Sequence, residues 1–158
     1  NHYWCNPIFE VVEPDGRTPM PPAVWDRTSA VLTAVLESVA TLAPPDRSYI
    51  FTHAIGEDGG HPSDFTIAGQ ILSVAERRNA KALVVRLSCG AKELSGRIAA
   101  EDRAKRLKTT DASQAERFAS LRPLSLNHDW IVDLDTTDLT AQAVADFVMA
   151  EISKRPIG

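Results

Sequence analysis

Little in this chain is abundant enough to name its class. Its 158 residues include two cysteines, Cys5 and Cys89. They are not spaced as CxxC, and two thiols cannot supply a disulfide framework. They read as reduced thiols of a cytoplasmic protein, with a single Cys5–Cys89 bridge as the other reading. Aromatic residues make up only 6% of the chain. No apolar run approaches the roughly 20 residues that span a bilayer, so no membrane partner is expected. Basic residues do not dominate: 17 Lys and Arg stand against 21 Asp and Glu, a net charge of −4. That balance argues against a nucleic-acid polymer as partner. Ten prolines and eight glycines fit neither a collagen-like nor a disordered chain. The chemical signatures GxSxG, HExxH and GxGxxG are missing, and so is the phosphate loop GxxxxGK[ST]. In Gly90-Ala91-Lys92 the lysine is followed by Glu93, without a preceding glycine frame.

What is present is a regular alternation. Hydrophobic residues are 44% of the chain, enough for residues 1–158 to form one domain with a real core. A short apolar run, Ile8 to Val12, precedes a proline-rich connector from Glu13 to Pro22. The spacing of Val24, Val31, Leu32, Val35, Leu36, Val39 and Leu42 predicts a helix over Ala23–Leu42, which Pro44 and Pro45 end. Tyr49–Thr52 reads as a buried strand. A polar loop from His53 to Pro62 leads to a helix over Ser63–Asn79, with Ser63 as its N-cap and Phe65, Ala68, Ile71, Leu72 and Ala75 as its core face. Ala82–Leu87 is a near-continuous apolar run, the pattern of a strand buried on both faces. Charged helix follows over Lys92–Lys108, then a shorter helix over Ala112–Leu121. Trp130–Leu134 reads as the last strand, and Thr140–Ser153 as the last helix, with Val144, Phe147, Val148 and Ile152 facing inward. Strands alternating with amphipathic helices predict a three-layer α/β/α fold with a mainly parallel sheet.

Four places offer chemistry. Arg97, Arg103, Lys105, Arg106 and Lys108 form a positive island in a net-acidic chain. On a helix Arg103 and Arg106 share a face. Guanidinium forks fit phosphate oxygens and can stabilise charge on a transferring phosphoryl group. A solvated helix face, with Glu101 and Asp102 pairing locally, is the other reading. Asp135, Thr136 and Thr137 end the last strand, where open α/β sheets hold their ligands. A turn of side-chain-to-backbone bonds feeding an N-cap at Thr140 accounts for them equally. Thr52 and His53 lie where the strand Tyr49–Thr52 meets the same edge; His53 with His61 is too little for a metal site, and none is assigned. Asn1, His2 and Asn6, with Tyr3 and Trp4, suit a small-molecule pocket or an anchored terminus.

Together these segments resemble the small-molecule kinase branch of the P-loop NTPases, the group of shikimate, gluconate and nucleotide kinases. They look most like its shikimate-kinase-like members of unassigned substrate, the bacterial "AAA family ATPases". Asn1-His2 through Phe9 looks like the segment after the second strand. Tyr49–Thr52 looks like the core strand carrying the Walker B position. Arg97–Lys108, within a segment of about 92–111, looks like the arginine-bearing lid. Asp135-Thr136-Thr137 with Leu139–Ile152 looks like the final strand, loop and helix near the nucleotide base. The resemblance covers most of the chain in order, but departs from the family at its most specific motif, the phosphate loop. It therefore implies a chain incomplete at its N-terminus by roughly 30 to 40 residues, the size of a βαβ unit.

The resemblance implies transfer of a phosphoryl group from ATP, with Mg²⁺, to a hydroxyl of a small acceptor. Arg97, Arg103 and Arg106 would act on the phosphates as catalytic groups, with Lys105 and Lys108 behind them. Asp135, Thr136 and Thr137 would face the nucleotide, and Asn1, His2, Asn6, Thr52 and His53 the acceptor. Asp111 would cap the next helix. The alternative is a non-catalytic α/β domain that binds a ligand or serves as a subunit. If the first strand is missing, its neighbours have unpaired edges. The isolated chain is then expected to be marginally stable and to self-associate through those edges. A broad thermal transition with mixed masses is the expected outcome; a sharp cooperative transition with a clean monomer mass speaks against it.

Overall fold

The computed structural model describes residues 2–54, 56–57, 63–105 and 108–155, without the side chains of His2, Ser63, Asp64, Asp102 and Ala104. The elements are α1 (His2–Val12), α2 (Pro22–Thr41), α3 (Ser63–Arg77), β1 (Val84–Ser88), α4 (Ala91–Ile98), α5 (Asp102–Lys105), a 3₁₀ turn Ala112–Gln114, α6 (Ala115–Ala119), β2 (Ile131–Asp135) and α7 (Ala141–Lys154). Helix and sheet are mixed, and β1 pairs with β2 in parallel, from Val84 opposite Ile131 to Ser88 opposite Asp135. No helix among the described residues is long and apolar enough to cross a membrane. Both cysteines are free thiols.

The largest cluster of buried side chains is helical. Trp4, Cys5 and Phe9 from α1 meet Val24, Leu32 and Leu36 from α2 and Ile67 and Val74 from α3. Trp4, Cys5, Ile8, Phe9 and Val12 recur at helical spacing. The apolar run Ile8–Val12 is thus the second half of α1 and not a separate element. Pro7 sits inside this helix, where it removes the bond to the carbonyl four residues back. Packing holds the helix in spite of that: Phe9 meets Trp25 edge to face at 6.0 Å, and Trp4 lies 6.5 Å from Phe51. Burial of the Cys5 thiol raises its pKa.

The structure corrects five expectations. Tyr49–Thr52 is irregular, and Ile50 is 92% exposed. These residues meet no strand among the described residues; Tyr49 stacks on Phe51 at 6.3 Å and lies under the Arg78 guanidinium. β1 is not buried on both faces, since Leu87 is 59% exposed. The charged helix over 92–108 is broken. Ala99 closes α4 on Ser95, and Arg103 restarts the chain on Ala100. Ile98 anchors the last turn of α4 in the interior, whereas the charged residues beyond it offer no apolar stripe to bury. The helix over 112–121 is shorter, a 3₁₀ turn running into α6, and Asp111 caps it by accepting from the Ser113 amide. In α3 the buried positions include Ile67 and Val74, one residue off the expected face, and Phe65 is half exposed. The expected cap Thr140 accepts from the Ala143 amide and starts α7; the Ser63 side chain lies outside the described residues.

The end of α2 is closed by a side chain from beyond α3. Arg78 donates to the carbonyls of Val39 at 2.6 Å, Ala43 at 3.2 Å and Pro44 at 2.7 Å. The Val39 carbonyl is one that a helix terminus leaves without an intrahelical partner, and Ala43 and Pro44 follow just past the end of α2. Five donors in a rigid planar fork reach carbonyls spread over several residues, for which the three donors of a compact ammonium are less suited. Arg78→Met is expected to lower stability by about 1.5–3 kcal/mol, the range for hydrogen bonds to a charged group. Arg78→Lys should recover part of it; an unchanged thermal midpoint for both variants refutes the clamp.

Candidate functional site

Parallel pairing brings the ends of β1 and β2 side by side, so the loops after them share one edge. The ladder continues past β2: the Thr136 amide and hydroxyl both donate to the Ser88 carbonyl, each at 2.9 Å. Thr136 is 6% exposed, a buried polar residue with every bond accounted for. Its hydroxyl accepts from Arg97 Nη1 at 3.0 Å, and its carbonyl accepts from Arg97 Nη2 at 2.7 Å. The remaining Arg97 donor, Nε, reaches Glu93 one turn back at 2.9 Å. One guanidinium therefore ties α4 to the loop after β2.

The neighbouring residue completes the edge. The Thr137 hydroxyl accepts from the Gly90 amide at 2.8 Å and donates to Asp135 Oδ1. The Thr137 amide donates to the same carboxylate oxygen at 2.9 Å. These bonds, the hydroxyl's first, hold the Asp135 carboxyl below the usual carboxylate range. Gly90 is the N-cap of α4 and has no side chain of its own to cap with. Inside the sheet, Arg86 and Asp133 stand opposite in register and pair through two bonds of 2.6 Å each. That pairing lowers the Asp133 pKa and raises that of Arg86.

The candidate residues fall into separate groups. Arg97, Asp135, Thr136 and Thr137 are brought together. Arg103 folds back on its own segment, donating from Nε to the Thr109 carbonyl at 3.1 Å. Arg106 lies outside the described residues. Lys105 is exposed and Lys108 half-buried. Thr52 is exposed and His53 half-buried, in a segment that packs on the helical core through Phe51. Further on, this segment docks on the chain before β2. The Glu57 amide donates to the Arg122 carbonyl at 3.0 Å, and the Glu57 carboxylate accepts from the Ser125 amide at 3.1 Å and pairs with Arg122. Among the described residues no strand over Tyr49–Thr52 places Thr52 and His53 beside the ends of β1 and β2. Asn1 and His61 lie outside the described residues, as does the His2 side chain. Asn6 is half-buried on α1, whose Trp4, Cys5 and Phe9 enter the core. The first segment is an anchored helix and not an open aromatic patch. An apolar groove of about 500 Å³ runs along α2 past Val35, Val39, Leu42 and Tyr49, and no candidate residue lines it.

Ser88, Gly90 and Glu93 were not among the expected site residues. Applying the strand-end rule to β1 as well as β2 would have flagged the first two. The four-residue spacing of Glu93 and Arg97 would have flagged the third. No family model, no curated protein and no solved structure matches the chain.

As the pH falls, Asp135 is the group to follow. Its folded pKa is depressed, so the order it lends the loop is fully present above the ordinary carboxylate range. That order is lost as the pH falls through the lowered folded value. The Thr137 amide resonance is expected to hold its position at neutral and mildly acidic pH and to move only below the range of an ordinary aspartate. Movement within the ordinary range removes the assigned bonds.

Proposed function

We propose that the edge formed by Gly90, Asp135, Thr136 and Thr137 is the nucleotide side of an ATP-dependent phosphotransferase-like domain. When complete, such a domain transfers a phosphoryl group to a hydroxyl of a small molecule. The reading takes β1 and β2 as part of a parallel sheet in a three-layer, P-loop-kinase-like fold. The observation that supports it is the seat of Arg97 against Thr136: a guanidinium from the helix after one strand meets the loop after its parallel neighbour. That is the edge where such sheets hold ligands. A planar cation beside hydroxyls and amides suits a nucleotide.

In this reading Arg97 belongs to the wall of the nucleotide site, and its bonds to Thr136 fix that wall. Arg103 and Arg106 are left for the phosphates, where positioning and charge stabilisation do most of the work. Asn1, His2, Asn6, Thr52 and His53 remain the acceptor-facing set by resemblance alone. No group of three or more His, Cys, Asp or Glu converges among the described residues. They do not form a cage of three such ligands for Mg²⁺. The 158 residues hold no GxxxxGK[ST], so the reading requires a phosphate loop supplied from outside them. The same fact favours a second reading, a non-catalytic α/β domain.

Titration of the chain with ATP, followed by amide resonances, separates the two. Weak binding with shifts at Gly90, Thr136 and Thr137, abolished by Arg97→Ala, is expected. Millimolar ATP that leaves those three amides unmoved overturns the nucleotide assignment and leaves the non-catalytic domain.

A further inference from the structure

Among the described residues, the Arg103 guanidinium finds its acceptor beyond its own helix. α5 spans Asp102–Lys105, a single turn, and the Lys108 amide closes on the Arg103 carbonyl at 3.2 Å. What orients the guanidinium is the Thr109 carbonyl, and Thr109 is itself held from elsewhere. Its hydroxyl donates to the Gly16 carbonyl at 3.0 Å, across 93 positions of sequence. The Thr110 amide donates to the same carbonyl at 3.2 Å. One backbone oxygen in the connector between α1 and α2 thus receives both groups.

The connector is built to present that oxygen. The Asp15 carboxylate accepts from the Arg17 amide at 2.8 Å, from the Thr18 amide at 2.7 Å and from the Thr18 hydroxyl at 2.6 Å. The turn it locks places Gly16 at φ +74°, a conformation that side chains rarely adopt. A Cβ at Gly16 would also stand 3.0 Å from the Lys108 carbonyl oxygen. Arg17, next in the turn, adds electrostatic attraction to Asp111. The approach is therefore close and specific: glycine at the position of positive φ within the turn, an aspartate fixing the turn, and two donors converging.

We propose that Thr109, seated on the Gly16 carbonyl, is a positioning residue for Arg103, so that the connector sets where this arginine stands for a phosphate ligand. The inference deepens the phosphotransferase reading and rests on it. The chain runs from Gly16 through the Thr109 hydroxyl and carbonyl to Arg103 Nε. Thr109 touches no ligand in this arrangement; it acts through Arg103.

The probe is inorganic tripolyphosphate, measured by calorimetry on the full chain. Arg103→Ala is expected to weaken binding. Thr109→Val, which keeps the shape and loses the hydroxyl, should weaken it roughly three- to tenfold, the equivalent of one hydrogen bond. Thr109→Ser should restore the wild-type value, and all three should keep the wild-type thermal midpoint to within a few degrees. If Arg103→Ala changes nothing, the phosphate role of Arg103 fails and the positioning role with it. If Arg103→Ala weakens binding and Thr109→Val does not, the positioning role alone is overturned. Should Thr109→Val fail to fold, amide exchange in the wild-type chain decides. Protection at Thr110 supports the seat, and exchange at the open-chain rate overturns it.

Discussion

Everything at the candidate site depends on one pairing, β1 beside β2 in parallel. Parallel neighbours cannot be joined by a tight turn. The chain between Ser88 and Ile131 must therefore leave one end of the sheet and return to the other. α4 lies on that return path, which is why Arg97 stands beside the end of the sheet. The register is fixed from inside by Arg86 opposite Asp133, a two-bond pair. It is fixed at the end by Thr136, whose amide and hydroxyl extend the ladder onto Ser88. Arg97 then fastens α4 to the same residue. A slip of one position would turn Arg86 away from Asp133 and carry Thr136 off Ser88.

The helical part obeys a different constraint. Its core is aromatic and apolar, shared by α1, α2 and α3, and neither strand contributes to it. The segment after α2 links the two parts, with Phe51 against the helical core and Glu57 against the chain before β2. Arg78 gathers the carbonyls at the end of α2 and so fixes where this segment departs. Among the described residues the two parts are thus joined by polar bonds at this segment and at the Gly16 connector, and the helical core cluster takes no residue from either strand.

The cations divide in the same way. Arg97 is committed to Thr136 and Glu93. Arg103 is oriented by a carbonyl that the distant connector holds in place. A run of like charges in one segment becomes two different devices, because each arginine answers to whichever carbonyl the fold brings near it.

Much of this was legible in the sequence, and for local reasons. The period of α2, the proline stop after it, the Thr140 cap of α7 and the Asp111 cap of the 3₁₀ turn follow from residues near in sequence, as do the two strands expected over Ala82–Leu87 and Trp130–Leu134 and found at Val84–Ser88 and Ile131–Asp135. So did the grouping of Asp135, Thr136 and Thr137 at a strand end. The strand expected over Tyr49–Thr52 was not realised, because a strand exists only through a partner and apolar spacing does not supply one. The break after Ile98 was hidden for a related reason: the residues that follow it are mostly good helix formers, and burial of Ile98 decides where the helix stops. Tertiary structure alone set Arg97 on Thr136, Arg78 on the end of α2 and Thr109 on Gly16. A guanidinium or hydroxyl is committed by the carbonyl it meets, and that carbonyl lies tens of residues away.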